Sequence, residues 1–216
     1  MSSPRLSVEQ VIKDLKKLYP KAKCTLDWQA PLDLLVATIL SAQCTDKRVN
    51  TVTKSLFKKY KTAQDYVDVS IKELENDIHS CGTFHVKAVS IQESCKILIK
   101  EFDSEPPKTM EGMIKLKGVG RKTGAVVLGT AYGVIEGIPI DTHNIRLIHR
   151  LGLSEKKTQS AIEKEMMKKT EQKHWAALSH LLIAHGRAIC TARNPACEKC
   201  VFAHTCPSST VRKRKS

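Results

Sequence analysis

Residues Leu116 to Gly124 read L-K-G-V-G-R-K-T-G and lie between two helical patterns. Two glycines around one apolar residue permit a tight turn, and no side chain shields their backbone N–H groups. With the N-terminus of the helix that follows, those groups form a site for a phosphate, and Arg121 and Lys122 add positive charge. A plain helix–helix turn, whose glycines only relieve strain, accounts for the local chemistry equally well. The stretch is not a Walker loop: the G-x-x-x-x-G-K-S/T spacing fails and no strand precedes it. It is not a dinucleotide-binding fingerprint either, because the third glycine comes one residue late.

Outward from this hairpin, nearly every segment repeats its apolar residues at helical spacing. Val8, Val11, Ile12, Leu15 and Leu18 make one stripe. Pro31 opens PLDLLVATILSAQ as a first-turn proline does, and DKRVNTVTKSLFKKY carries Val49, Val52, Leu56 and Phe57 on one face. Ser70 and Glu73 have capping-box spacing, with Gly82 placed to end that helix. FHVKAVSIQESCKILIKEF is a helix stopped by Pro106 and Pro107. Further helices are expected over 109–116, 121–132, 142–151, 157–169 and 171–188. No convincing period-2 strand occurs, so the expected fold class is all-α. YGVIEGIPID (132–141), with two glycines and a proline, is the main break and joins two helical lobes. The basic tail TVRKRKS is expected to be disordered and to add weak phosphate attraction.

The chain has 216 residues, with 36 Lys and Arg against 22 Asp and Glu, a formal net charge of +14. Such a surplus points to a polyanionic partner, nucleic acid first. A composition of 41% hydrophobic and 27% charged residues is that of a soluble globule. No run approaches the roughly 18 apolar residues of a membrane span, and the N-terminal stretch lacks the apolar core of a signal peptide, so an intracellular protein is expected. Of eight cysteines, Cys24, Cys44, Cys81 and Cys95 are scattered and read as small core residues. Cys190, Cys197, Cys200 and Cys206 crowd together with spacing C-x6-C-x2-C-x5-C. In a reducing compartment such a group binds metal rather than forming disulfides. Ligand softness does not separate zinc from [4Fe–4S], although zinc sites usually present two short cysteine pairs and only one occurs here.

LKGVGRKTGAVVLGTAYG (116–133), followed by IDTHNIR (140–146), resembles the helix-hairpin-helix and Gly/Pro…Asp signature of base-excision DNA glycosylases. Within that family it resembles the endonuclease III branch. SAQCTD (41–46), HGRAICTARNPAC (185–197) and the cysteine loop add similarity in the family's order. The resemblance implies a helical barrel lobe over 25–133, with the helix-hairpin-helix at about 109–132. It implies a discontinuous second lobe from 1–24 and 134–216, with a [4Fe–4S] loop at 190–206, and DNA in the cleft between them. Lys122 takes the position of the family's nucleophile and Asp141 that of its carboxylate; Cys190, Cys197, Cys200 and Cys206 become the cluster ligands. Gln43 is the residue that fills the space of a flipped-out nucleotide. Lys117, Gly118, Val119, Gly120, Arg121, His143 and Arg193 are implied DNA contacts. The cluster's implied role is to stiffen a loop that presents Arg193, Lys199 and His204 to the DNA backbone. Thr83 stands where leucine is frequent, which implies a weaker wedge, and Lys117 stands where proline is common.

The implied chemistry is self-consistent. An amine that displaces a base at C1′ forms a Schiff base, and the iminium acidifies the C2′ proton. β-Elimination then cuts the strand, so one nucleophile serves glycosylase and lyase steps. Near pH 7.4 only about 0.1% of an ordinary lysine is neutral, and a pKa lowered to about 8 would raise this to roughly a fifth. A helix N-terminus and partial burial both act in that direction. Asp141 can stabilise the cationic sugar, and an Asp before THNIRLIHR is also an ordinary N-cap. The expected partner is double-stranded DNA carrying damaged pyrimidines or abasic sites, bound by a monomer. Two alternatives stand beside this reading: a monofunctional glycosylase, whose branch lacks the lysine and carries a further C-terminal domain, and a non-catalytic DNA-binding module with a structural metal.

Overall fold

The computed structural model describes residues 6–213. Among them the secondary structure is helical throughout, with no strand. The α-helices are α1 (Val8–Leu18), α2 (Pro31–Leu40), α3 (Asp46–Lys59), α4 (Ala63–Asp68), α5 (Ile71–Ile78) and α6 (Phe84–Glu101). They continue as α7 (Met110–Lys115), α8 (Arg121–Ala131), α9 (Thr142–Arg150), α10 (Gln159–Lys168), α11 (Trp175–Ala188) and α12 (Thr210–Lys213). Short 3-10 turns occupy Gln172–His174 and Cys197–Lys199. No helix among the described residues is long and apolar enough to cross a membrane.

Most of these helices begin where a short polar side chain can take the orphan N–H groups of the first turn. Ser7, Thr45, Thr62, Ser70, Thr109, Asp141 and Thr158 each accept a backbone N–H three residues on. Pro31 stands at the first position of α2, and Asp33 accepts the N–H groups of Gln29 and Ala30 at 3.1 and 3.0 Å. Helix α4 has no counterpart in the sequence reading: its six residues are too few to show a period, although Thr62 and Asp65 form a reciprocal capping box.

Three stop signals act differently from expectation. Gly82 does not end α5, which closes earlier at Ile78. Pro106 and Pro107 follow a helix already closed, because the N–H groups of Phe102 and Ser104 both donate to the Leu98 carbonyl. The tail expected to be disordered forms the short helix α12 over Thr210–Lys213, and its last three residues lie outside the described ones.

The chain divides into two compact units, one spanning Cys24–Glu136 and the other made of the N-terminal segment to Lys23 with Gly137 onward. The first is built around α2, which is apolar almost all round and buried from Leu34 through Leu40. Helices α6 and α8 pack on it, and Leu56, Leu74, Ile91, Leu98, Met113 and Leu128 complete its core. In the second unit α1 and α9 pack against α11 around Leu15, Leu147, Ile148, Leu178, Leu182 and Phe202.

Candidate active site

The hairpin is docked on α6 by backbone contacts that only glycine permits. Gly118 has φ +75°, and a Cβ there would stand 3.0 Å from Cβ and Oγ of Ser90. The Ser94 hydroxyl donates to the Lys117 carbonyl at 2.9 Å, and the apolar Val119 turns inward. Gly120 is the N-cap of α8, and no side chain caps that helix. Its first-turn N–H groups therefore lack the partner that Ser, Thr or Asp supplies at most other helix starts in this chain.

Lys122 lies in this first turn, exposed. The partial burial expected for it is absent, because Gly124 and Ala125 carry the buried face of the turn while Arg121 and Lys122 stand on the solvent side. Lys117, Gly118 and Gly120 are exposed as well. The Arg121 guanidinium donates to the Glu136 carbonyl at 3.3 Å, and the Glu136 carboxylate accepts the Met110 N–H, so the loop after α8 folds back on the start of α7.

Gln43 and Thr83 occupy the turns after α2 and before α6, and both are exposed. They share an uncommon backbone state. With φ of 53° and 56°, they are two of the four non-glycine residues at positive φ among the described residues. For β-branched Thr83 this left-handed conformation is a true outlier, costing about 1–2 kcal/mol. Nothing in the sequence marks it. Such strain concentrates where structure serves a ligand.

In the second unit, Asp141 is the N-cap of α9 and its Oδ1 accepts the Asn144 N–H at 2.8 Å. Beneath it the buried Asn144 amide donates to the Pro139 carbonyl and the Ser179 hydroxyl, both at 3.0 Å, and Ser179 donates to the same carbonyl at 2.7 Å. The carboxylate thus stands on a fully enclosed polar network. His143 follows on the same turn, half-buried, with the Arg146 guanidinium 3.1 Å from its Nδ1.

Cys190, Cys197, Cys200 and Cys206 are half-buried and line one cavity of about 130 Å³, with His185, Phe202 and Arg150 in its wall. Burial first, and then the neighbouring cysteines, push the Cys200 thiol up to about 11 and raise Cys206 as well. Four thiolates fit there only around a positive centre. Thiolates on one zinc ion sit about 4 Å apart, whereas a four-iron cluster takes one thiolate at each iron and needs a roomier cage. Four thiols around one cavity of this size are the donor set and the room that an iron–sulfur cluster takes.

Two arginines tie this loop to α9, and the sequence reading missed both. Arg146 donates to the carbonyls of Gly186 and Cys190 at 3.3 and 3.1 Å. Arg150 reaches Cys190 Sγ at 3.4 Å and the carbonyls of Thr191 and Ala192 at 2.7 and 2.8 Å. Their four-residue spacing on one helix face was the available signal. On the outer side of the loop Arg193, Lys199 and His204 are exposed.

Residues 36–172, more than half of the chain, match the HhH-GPD superfamily of base excision DNA repair proteins, and residues 190–206 match the iron–sulfur binding domain of endonuclease III. This chain belongs to the HhH-GPD superfamily. Endonuclease III of Synechocystis is 47% identical over 209 residues, covering 97% of this chain and 95% of its own. Endonuclease III of Bacillus subtilis is 40% identical, with 96% and 95% covered. A non-covalent endonuclease III–DNA complex superposes with a TM-score of 0.91 at 40% identity, covering 97% of this chain and 99% of that one. A trapped endonuclease III–DNA covalent intermediate gives 0.91 at 40% identity, covering 98% and 100%. As an HhH-GPD protein of the endonuclease III type, the chain is a bifunctional base-excision DNA glycosylase and lyase with a [4Fe–4S] cofactor.

Proposed function

We propose that Lys122 is the nucleophile of both steps and Asp141 its carboxylate partner, acting on oxidised or ring-damaged pyrimidines and on abasic sites in double-stranded DNA. The observation that carries this reading is the hairpin itself. It sets an exposed lysine in the first turn of α8, where no side chain caps the helix and the backbone N–H groups point toward where a phosphate would bind. The Lys122 amine attacks C1′ of the flipped-out nucleotide and the damaged base leaves. The Schiff base that forms acidifies the C2′ proton, and its loss breaks the bond to the 3′ phosphate. Asp141, fixed by its capping bond, stabilises the positive charge that grows on the sugar.

Gln43 and Thr83 stand at exposed turns with positive φ, suited to a flipped-out site, and Thr83 makes a weaker wedge than the leucine frequent at its position. Thr83→Leu is expected to sharpen the preference for the base opposite the lesion, read from cleavage rates on four otherwise identical duplexes. The hairpin residues Lys117, Gly118, Val119, Gly120 and Arg121 grip the backbone in this reading, with His143 and Arg193 as further contacts. Cys190, Cys197, Cys200 and Cys206 hold the cluster, which when bound neutralises the crowded thiolates and braces the loop. Arg146 and Arg150 join that loop to the helix that Asp141 caps. A monomer working inside the cell on DNA fits the excess of basic residues. The same two units, helical barrel and cluster-bearing body, are the lobes of this enzyme.

Borohydride trapping on abasic and thymine-glycol duplexes tests the assignment. The wild-type protein should form a covalent adduct that Lys122→Ala loses. An undiminished adduct in Lys122→Ala would place the nucleophile elsewhere, and tight binding with no adduct from the wild type would mark a non-catalytic module.

A further inference from the structure

His185 opens the stretch HGRAICTARNPAC (185–197), and nothing in the proposed reaction uses it. It stands near the C-terminal end of α11 and is only 1% exposed, so its ring nitrogens must find partners inside the protein. Both do. Nε2 lies 3.4 Å from Cys200 Sγ, and Nδ1 lies 3.1 Å from the Tyr19 hydroxyl. The ring meets Tyr19 and Phe202 edge-on, with centroids 5.9 and 5.8 Å away, which fixes its plane. The His185 carbonyl also accepts the Cys190 N–H at 2.9 Å, so this one residue touches two of the four cysteines. Packing alone would be served by an apolar ring. Here the two polar partners are separated by most of the chain: Tyr19 caps the C-terminal end of α1, and Cys200 sits in the cysteine loop.

The chemistry of the sulfur gives the chain of contacts a direction. A thiolate that holds iron has no proton to give, so Nε2 carries the N–H and donates to Cys200. With the ring's single proton there, Nδ1 accepts, and the Tyr19 hydroxyl donates to it. The Phe202 N–H, 3.4 Å from the same sulfur, is a second donor to Cys200. Donors of this kind draw charge off a ligand sulfur and favour the electron-richer state of the cluster it holds.

We propose that Tyr19 and His185 form a hydrogen-bond relay, Tyr19 O–H to Nδ1 and Nε2–H to Cys200 Sγ, that raises the reduction potential of the [4Fe–4S] cluster and slows its loss. Both act through Cys200 and are positioning residues: His185 supplies the donor, and Tyr19 sets which ring nitrogen carries the proton. The relay makes α1, at the other end of the chain, part of the cluster's surroundings. It rests on the reading of Cys200 as a cluster ligand.

The test uses the full-length, cluster-loaded protein, with iron content measured first for every variant. The potential is read by voltammetry at one fixed pH, and cluster loss by the fall in absorbance near 400 nm in the presence of an iron chelator. Tyr19→Phe removes only the hydroxyl and keeps a ring against His185. It should shift the potential to lower values and speed cluster loss several-fold. His185→Phe removes both side-chain hydrogen bonds and should shift both readings further in the same direction. His185→Gln, whose amide can still donate to Cys200, should fall between His185→Phe and the wild type. In the wild type with heavy nitrogen in its histidines, electron–nuclear double resonance on the paramagnetic state of the cluster should show a coupled imidazole nitrogen. That labelled spectrum and Tyr19→Phe carry the test even if His185→Phe does not fold. No coupled imidazole in the wild type overturns the proposal, as does a fully loaded His185→Phe with wild-type potential and loss rate. A loaded Tyr19→Phe identical to the wild type overturns the Tyr19 half of the relay. A wild type that carries no iron overturns the cysteine assignment itself, and the relay with it.

Discussion

Lys122 and Asp141 both stand at the N-terminal end of a helix, but the two ends are built in opposite ways. The start of α8 has a glycine N-cap, no capping side chain, and a lysine exposed to solvent. The start of α9 has an aspartate whose carboxylate already holds the Asn144 N–H, above a buried network of Asn144, Ser179 and the Pro139 carbonyl. The first end keeps its backbone donors and its amine available, and the second spends one carboxylate oxygen on holding itself still. A nucleophile must travel to the sugar, whereas an electrostatic stabiliser works best when it does not move. The difference in construction therefore matches the difference in proposed role.

The largest expected effect breaks the pair at its exposed end. Lys122→Ala should abolish covalent trapping and strand cleavage while leaving the melting temperature unchanged, since the side chain makes no capping or core contact. At the other end, catalysis and stability are separable. Asp141→Asn keeps a good N-cap and should lose about a hundredfold in cleavage with little change in melting temperature. Asp141→Ala should lose the same activity and a further ~1 kcal/mol of stability through the missing cap. Equal melting temperatures for the two variants would show that the capping bond holds nothing.

A smaller effect tests the hairpin as a rigid platform. Gly118→Ala forces an alanine to φ +75° and crowds Ser90, which should cost about 1–2 kcal/mol in chemical denaturation and weaken DNA binding together. The smallest concerns pH. Burial lowers the pKa of His180 from the ordinary 6.5, so the folded protein favours its neutral form. A lowered histidine pKa costs nothing above 6.5 and destabilises progressively as pH falls below it. His180 lies on α11, in the unit that carries Asp141, so hydrogen exchange on acidification should rise there before it rises around the hairpin. His180→Gln should flatten that dependence.

Much of this was legible before any coordinates, and the physical reason is range. Helix starts such as Thr109, Asp141 and Thr158 are written within three or four residues, because a cap and the N–H it accepts are near neighbours. The glycines of the hairpin and the spacing of the four cysteines are local in the same way. Stop signals were less readable. Gly82, Pro106 and Pro107 are compatible with a helix end, but the ends themselves fell where Ile78 and the Leu98 carbonyl found their partners.

By itself, the sequence determined an all-α chain of short capped helices, a glycine hairpin followed by a lysine, an N-capping aspartate and a soft-ligand loop, since each depends on contacts a few residues long. Only the tertiary structure decided that Lys122 is exposed and that Gln43 and Thr83 take left-handed turns. It alone showed that Arg146 and Arg150 clamp the cysteine loop. Those outcomes depend on which surfaces the packed helices cover and which distant residues they bring together, and neither is written in local spacing.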